Sequence, residues 1–586
     1  MKDSMKSCQH ALSGDVLYKE VVVIGNGPSG MVTSFMLAGN VPYLKPIPDD
    51  LPIDDMLRAR LSNLPEGQSL YETDLMELAE GLEGRSQNPI PLLMDNLLRP
   101  CADLGIQADP LIEWKFDIEK QISHIVLGRG PPGGSWHTFP PTVRTLSPAA
   151  WLSLPPHSAH DTARLSARAV ANYCRKYVQA CKLQKFFRSG VTVTSVTRLP
   201  ESDGPTCHST QCPLNARFCV AGFDNSTCLP FRYVCHKVVV CSGSGDRPNA
   251  LAPRLARHAL HSLASLERAL QAISNHVTSV PPSVLVVGSG VSAADAVCLC
   301  RSAGLHALHL HRTPADALAR LSPNAYPDYC QVYNMMCDGP SGNHNNYTPF
   351  PNHMIVDITP EPNQLSSDIE DYALSLKTVK LLNLTTQEIV ELKVYAVGVF
   401  IGSKPDLFYL QTNYLDCIDD MKSDCEKCKN EAIAKRKIEE KQCFLKNHWM
   451  YIKSMLGQSI QSCKSRYLNY SEINGNNDTK CELPDCNRRN EKNYDINKLQ
   501  IIPFTEDIKC QCGSLNPYTA GVGFGIDPKK PVDSRSNPIA VDKASHAVLA
   551  APRGVYALGP LAADGFVRFI PGGALAAVAH MHAITR

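Results

Sequence analysis

The chain has 586 residues, 44% of them hydrophobic and 20% charged, which is ordinary for a globular protein. Its 58 Lys and Arg nearly cancel its 57 Asp and Glu, leaving a net charge of +1. That balance excludes a generally basic nucleic-acid binder and a strongly acidic solvating chain. No apolar run approaches the ~20 residues of a spanning helix, so no transmembrane segment is expected. The start, MKDSMKSCQHALSGDVLYKE, has no hydrophobic signal core, which points to the cell interior and to the cytoplasm. Of the 23 cysteines, Cys241, Cys298 and Cys300 sit singly in apolar stretches and read as small buried hydrophobes.

Residues 1–18 read as a tail. The β-branched run Val21–Ile24 predicts a strand, Gly25-Asn26-Gly27-Pro28-Ser29-Gly30 a tight turn, and the following residues to Leu37 a helix. This is GxGxxG in its productive context. The first Gly permits the turn, the second lets a pyrophosphate approach, and the third lets helix and strand pack. The helix N-terminus offers free N–H groups to phosphate. The acid expected about 20 residues on, for a ribose, is not obvious. Asp49 and Asp50 fall near that place but among prolines, and read as solvated loop charges.

Residues 40–66 are Pro-rich and are expected to wind over the surface, and 161–183 to be helical. Gly133-Gly134-Ser135-Trp136 combines paired glycines for close backbone approach with a ring able to cover a ring system. Val238–Val240 reads as a buried strand. The strand–turn–helix grammar returns at Ser283–Val287, Gly288-Ser289-Gly290-Val291-Ser292-Ala293 and the residues up to Ala303, with Gly304 as helix stop. GxGxxA is the permitted variant. Leu305–His311 reads as the next strand, and Arg312 at its end suits a 2′-phosphate, hence NADP rather than NAD. His309 and His311 read as a polar strand face, and no metal site is expected.

From 411 to 500 the composition changes to two Gly, one Pro and eleven Asn, the mark of a polar insertion. Its Cys425 and Cys428, with Cys481, Cys486, Cys510 and Cys512 beyond, have spacing too loose for a regular zinc site, and the basic Lys435–Lys437 reads as a solvated helix face. Residues 501–530 return to turn chemistry. Val555–Leu558 reads as a strand, with Asp564 past its end and Gly572-Gly573 opening a final helix. Such an acid could hold a flavin ribityl chain or pyrophosphate.

Two glycine-rich turns 263 residues apart imply two nucleotide sites in one chain. One cofactor needs one site; a flavin reduced by a nicotinamide needs two. No G-x-S-x-G elbow or triad is present, and no catalytic acid or base is named.

The segments VVVIGNGPSG (21–30), GLEGRSQNPIPLLMDNLLRP (81–100), HIVLGRGPPGGSWH (124–137), VLVVGSGVSAADA (284–296), DPKKPVDSRSNPI (527–539) and YALGPLAADGFVRFIPGGALA (556–576) together resemble the oxidative stress-induced growth inhibitor family, relatives of class B flavin-dependent monooxygenases. The resemblance implies an α/β fold of two Rossmann-like dinucleotide-binding domains, the second inserted in the first. It implies an FAD domain from 19–275 and 531–586 and an NADPH domain at 281–410. It implies that Gly25, Gly27, Pro28, Ser29, Gly30, Gly134, Trp136 and Asp564 frame FAD, and that Gly288, Gly290, Ala293 and Arg312 serve NADPH. The implied activity is hydride transfer from NADPH to FAD followed by O2 activation on an unidentified small molecule. Regulatory protein partners and a role in growth, cell death or cell division are also implied. A redox sensor that binds both cofactors without turnover is the alternative. Ala563 stands where the family usually has Gly, and Leu255 and Arg257 where monooxygenases carry Phe-x-Gly.

Overall fold

The computed structural model describes residues 16–199, 216–275, 282–312, 316–361, 375–410 and 521–584. The chain divides into two compact units. One comprises Met1–Phe223, Pro230–Asp419 and Pro517–Arg586; the other comprises Asp224–Leu229 and Asp420–Asn516. Of the second unit only 224–229 is described. There the Asp224 carboxylate accepts the N–H groups of Ser226 and Thr227 at 3.0 and 3.1 Å and closes a turn. The predicted insertion 411–500, with its cysteine pairs and Lys435–Lys437, lies outside the described residues, as do Cys510 and Cys512.

The first unit is built on two parallel sheets. The first runs Val555–Ala557, Lys237–Val240, Val21–Ile24, His124–Gly128, Phe187–Ser189, all parallel. Val21–Ile24 and Lys237–Val240 are buried at every position, as central strands covered on both faces must be. Alternate residues serve opposite faces. Val21 and Val23 pack with the helices Pro28–Leu37, Pro89–Leu98 and Ile570–Ile584. Val22 and Ile24 pack with Phe218, Val220 and Tyr233 of a four-stranded sheet. That sheet includes Val16–Tyr18, paired parallel with Pro230–Cys235.

The second parallel sheet runs Tyr347–Pro351, His306–His311, Ser283–Val287, Ala396–Val399. One face packs on the helices Leu263–Ser274, Val291–Ser302 and Pro327–Asp338. The other packs on an antiparallel meander, His353–Pro360, Lys377–Asn383 and Ile389–Val394. Mixed α/β architecture follows directly from the alternation of strand runs and helix patterns in the sequence.

Some expectations need correction. Residues 40–66 are not surface coil. Asn40–Leu44 pairs antiparallel with Ile112–Phe116, and the helix Asp55–Ser62 buries Leu57 and Leu61. Pro46, Pro48 and Pro52 lie between these two short elements, so averaged composition hides both. The helix expected over 161–183 is shorter, Ala167–Ala180, capped by Ser166 Oγ accepting the Ala169 N–H at 3.2 Å. One stretch among the described residues, Val567–Ile584, is long and apolar enough to cross a membrane. It is 72% buried here, as the core helix of the first sheet.

That helix is fastened by a buried ion network. Arg568, 3% exposed, donates through Nε to Asp95 Oδ2 at 2.8 Å and through Nη1 to Asp103 at 2.8 Å. Its guanidinium lies 4.3 Å over the Trp151 ring, and Arg99 reaches the other Asp95 oxygen at 3.3 Å. A Cβ on Gly572 would stand 2.3 Å from Pro91 Cα, so the two helices cross in backbone contact. Removing one partner of a buried pair leaves an uncompensated charge. Arg568→Met is therefore expected to cost about 3–5 kcal/mol in denaturant unfolding, with Asp95 left short of one cation.

Candidate functional site

The candidate site is the pair of glycine-rich turns at the carboxyl ends of the two parallel sheets, where open α/β sheets form their ligand crevices. At the first turn Gly25 N donates to Leu127 O at 2.8 Å, and φ is +111°. A Cβ there would lie 2.2 Å from Cys241 O, the carbonyl just past the neighbouring strand, so no side chain fits. A Cβ on Gly30 would lie 2.0 Å from Gly25 O, which presses the helix onto the turn. Gly27 is different: its Cβ position meets nothing within 4 Å. Pro28 occupies the first helical turn, and no side chain caps the helix start. An uncapped helix start beside an open glycine is the arrangement that takes a phosphate.

The Gly133-Gly134 turn folds over this opening. A Cβ on Gly134 would be 3.2 Å from Gly27 Cα, and Gly133 N donates to Asn26 O at 2.9 Å. Trp136 is half-buried, its ring 5.7 Å edge-to-face from Phe139. Ser29 is buried, its Oγ filling the place that a side chain on Gly559 would need. From that segment Asp564 reaches the same edge. It is fully buried and accepts Ser86 Oγ at 2.7 Å and Asn88 Nδ2 at 3.0 Å. Lys543 Nζ donates to Asn88 Oδ1 at 2.6 Å. Burial raises the Asp564 carboxyl to about 7, against the lowering pull of the Ser86 and Asn88 hydrogen bonds and the Lys543 charge. Ala563 sits at φ +70°, the left-handed conformation that a Gly would adopt freely.

The ribose acid is absent where the fold would put it. The next parallel strand is His124–Gly128, since residues 40–123 intervene, and it ends in Gly128-Arg129-Gly130. Asn26 fills the space over Gly128, where a Cβ would meet its amide at 2.1–2.5 Å, and its Nδ2 donates to Gly130 O at 2.6 Å. Arg129 pairs with Asp406 at 3.3 Å. Asp49 and Asp50 are exposed and distant from this role.

At the second turn Gly288, φ +135°, donates to Leu310 O at 3.0 Å, and a Cβ would lie 2.3 Å from Phe400 O. Ala293 is fully buried, and Gly290 again faces open space. Arg312 is exposed at the end of His306–His311. His309, which burial holds near a pKa of 4 and therefore neutral, bonds Gly288 O through Nε2 at 2.7 Å. A carbonyl only accepts, so Nε2 carries the proton and Nδ1 accepts from Tyr347 OH at 2.9 Å. His309 thus braces the turn. No group of three or more His, Cys, Asp or Glu able to hold a metal is found among the described residues.

The turns therefore bring together Gly25, Gly27, Pro28, Ser29, Gly30, Gly134 and Asp564 at one sheet edge, and Gly288, Gly290, Ala293 and Arg312 at the other. Sequence reasoning missed Asn26, Ser86, Asn88, Lys543 and His309. Ser86 and Asn88 lie within 81–100, a segment quoted for its resemblance but without a role. The residues fit FAD at its pyrophosphate and at the Asp564 side; the ribose end has Arg129 in place of an acid.

The buried Asp564 gives a stability signature. Its folded pKa is raised, so its stabilising contribution is complete below the unfolded value near ~4 and is lost as pH rises through about 7. Asp564→Asn, neutral throughout, is expected to flatten the decline in stability of cofactor-free protein between these two limits, measured as urea midpoint against pH. An unchanged slope would show that the carboxyl is ionised in the folded protein.

No protein-family model matches the chain. The curated mouse protein oxidative stress-induced growth inhibitor 1 (Mus musculus) is 30% identical over 584 residues, covering 96% of this chain and 94% of its own. Human oxidative stress-induced growth inhibitor 2 (Homo sapiens) is 30% identical over 426 residues, covering 67% of this chain and 80% of its own. Among solved structures, a mutant flavin monooxygenase from Stenotrophomonas maltophilia aligns with 97% of this chain and all of its own at 13% identity and a TM-score of 0.42. Identity of 30% over 96% of the chain settles the kinship: the chain belongs to the oxidative stress-induced growth inhibitor family.

Proposed function

We propose that the chain is a flavoprotein oxidoreductase that holds FAD at the Gly25–Gly30 turn and NADPH at the Gly288–Ala293 turn. The observation that carries this reading is the pairing itself. Each parallel sheet ends in a turn whose first Gly excludes any side chain and whose second faces open space. Bound together, the two cofactors would supply hydride transfer and oxygen chemistry of the monooxygenase type. The growth-inhibitor names of the relatives support a regulatory output.

The chain's own residues bind, orient and exclude water. The uncapped helix starts at Gly27 and Gly290 offer backbone N–H groups to phosphates. Asp564, with its carboxyl raised to about 7, can donate as well as accept a hydrogen bond at neutral pH, which suits a hydroxyl-bearing chain. Trp136 and Phe139 supply ring surface beside the Gly133-Gly134 turn. Ser262 caps the helix Leu263–Ser274, and the preceding Leu260 exchanges backbone bonds with Val397 and Val399 at 2.8 Å, anchoring the linker to the second sheet.

Two measurements test the reading. In visible spectra under argon, NADPH is expected to bleach a flavin band of the purified protein, and air to restore it. A flavin band indifferent to NADPH would favour a redox sensor without turnover. Absence of flavin after reconstitution of folded protein would end the enzyme reading. The second measurement separates binding from folding. Gly27 has φ −72° and ψ −175°, backbone that any residue adopts, so Gly27→Ala is expected to keep the thermal midpoint of cofactor-free wild type but lose flavin retention. Gly30→Ala drives a methyl to 2.0 Å from Gly25 O and is expected to lower the midpoint, by roughly 1–3 kcal/mol of stability, together with flavin content.

A further inference from the structure

Between Asp161 and Glu201 the chain holds eight Lys and Arg and no acid. Spread evenly, 57 acids in 586 residues would put about four there, so the run is a local concentration of cations in a nearly neutral chain. Two of the eight are used inside the fold. Arg164 stacks on Tyr326 and Tyr329 at 4.7 and 5.0 Å, and Arg188 lies 4.6 Å over Phe231. Arg168, Arg175, Lys176, Lys182 and Lys185 are all exposed. Among the described residues none of these five pairs with a carboxylate, whereas Arg60, Lys120, Arg129 and Arg247 each do.

The helix Ala167–Ala180 puts the run in order. Ala167, Val170, Ala171, Cys174, Tyr177 and Val178 are buried and fix one face in the core. At about 100° per residue, Arg168, Asn172, Arg175, Lys176 and Gln179 fall within an arc of roughly 100° on the opposite face. Arg168 and Arg175 stand about 10.5 Å apart along the axis. Lys182 and Lys185 carry the charge past the helix end. The apolar face is committed to the core, so this helix meets a partner only through its cations.

What flanks the stripe indicates the partner. Pro141 O accepts the Arg168 N–H at 3.3 Å, and Arg175 Nη2 lies 3.3 Å from His137 Nδ1. Phe139 stands between these two contacts in the chain, beside the stripe, and is 41% exposed. A cationic face with an exposed ring at its margin suits the head-group region of a bilayer, which takes charge at its surface and an aromatic ring just below. Nucleic acid fits less well. The whole chain carries only +1, and a single ring on a convex helix makes no stacking groove.

We propose that the exposed face of Ala167–Ala180, with Lys182 and Lys185, docks the protein on membrane surfaces rich in anionic phospholipid. The attachment is peripheral and electrostatic, with no helix inserted. Cys174 Cβ is 3.0 Å from the Cβ position of Gly133, so docking by this face brings the rim of the first glycine-rich turn to the lipid.

The test is flotation of the purified full chain with vesicles of phosphatidylcholine alone and of phosphatidylcholine mixed with phosphatidylserine. Binding is expected to the mixed vesicles only, and to be released near 1 M salt, where the screening length falls to ~3 Å. Each cation at such a surface is a factor of about five in affinity. The joint variant Arg168→Gln, Lys176→Gln, Lys182→Gln and Lys185→Gln is therefore expected to bind roughly a hundredfold or more weakly. Its thermal midpoint should match wild type, since the four side chains are exposed and Gln is a good helix former. Arg168→Lys with Lys176→Arg, Lys182→Arg and Lys185→Arg should keep binding. Lys115→Gln, Lys380→Gln, Lys393→Gln and Lys530→Gln remove the same charge from other exposed sites and should also keep it. No flotation with the mixed vesicles, equal flotation with phosphatidylcholine alone, undiminished binding by the first variant, or equal loss in the last would each overturn the proposal. So would a labelled DNA duplex that binds through the same four residues while vesicles do not, which would assign the face to nucleic acid.

Discussion

The structure turns on a backbone contact repeated in two sheets. In each, the residue after the central strand lies so close to the carbonyl after the neighbouring strand that no Cβ can stand between them. That carbonyl is Cys241 O for Gly25 and Phe400 O for Gly288. The contact sets where the chain reverses, and the reversal sets where the helix begins. Gly30 and Ala293 then hold helix against turn with little or no side chain. The open space at Gly27 and Gly290 is the consequence, because the backbone around it is already committed. Any nucleotide chemistry depends on that space, so the contact precedes the cofactor in the logic of the fold.

Two polar ties join the sheets. Asp406, 6% exposed, holds Arg129 from the end of a first-sheet strand and Arg247 from the connecting segment, at 3.3 and 3.0 Å. Elsewhere Arg164 stacks on Tyr326 and Tyr329 at 4.7 and 5.0 Å, and Tyr329 OH donates to Asp295 at 2.8 Å. Asp295 stands two residues past Ala293, on the helix that opens at the second turn. Both ties end on residues adjoining a glycine-rich turn. Displacement of one sheet against the other would therefore be felt at the turns themselves.

Local grammar made much of this legible. Val21–Ile24, Val238–Val240 and Ser283–Val287 are β-branched runs followed by turn residues, and each forms a buried parallel strand. What the sequence hid was distance along the chain. Counting about 20 residues to a ribose acid assumes that the next parallel strand follows the helix at once. Here residues 40–123 intervene, so the count lands on exposed Asp49 and Asp50 while the strand end is Arg129. The partners of Asp564 are likewise 478 and 476 residues away, at Ser86 and Asn88. Hydrogen-bond geometry across such separations has no signature in spacing. The short elements within 40–66 escaped for a different reason: their prolines lie mostly in the joints, and composition averages over joints and elements alike.

The two turns differ most in how their buried polar groups are satisfied. At the first, the buried Asp564 is met by Ser86 and Asn88, and Asn88 by Lys543, so the protein supplies the partners of this carboxyl itself. At the second, His309 is braced but His311 is left with both nitrogens unpaired. A completed network keeps a site in shape whether or not it is filled, at the cost of bonds that a ligand must replace rather than add. An incomplete one gains a hydrogen bond when filled and so couples occupancy to stability. The first arrangement suits a group that stays with the protein through many turnovers. The second suits one that arrives, is recognised and leaves. On the reading proposed above, flavin would be the resident group and nicotinamide the exchanging one, a distinction that the glycine motifs, which are nearly the same, do not make.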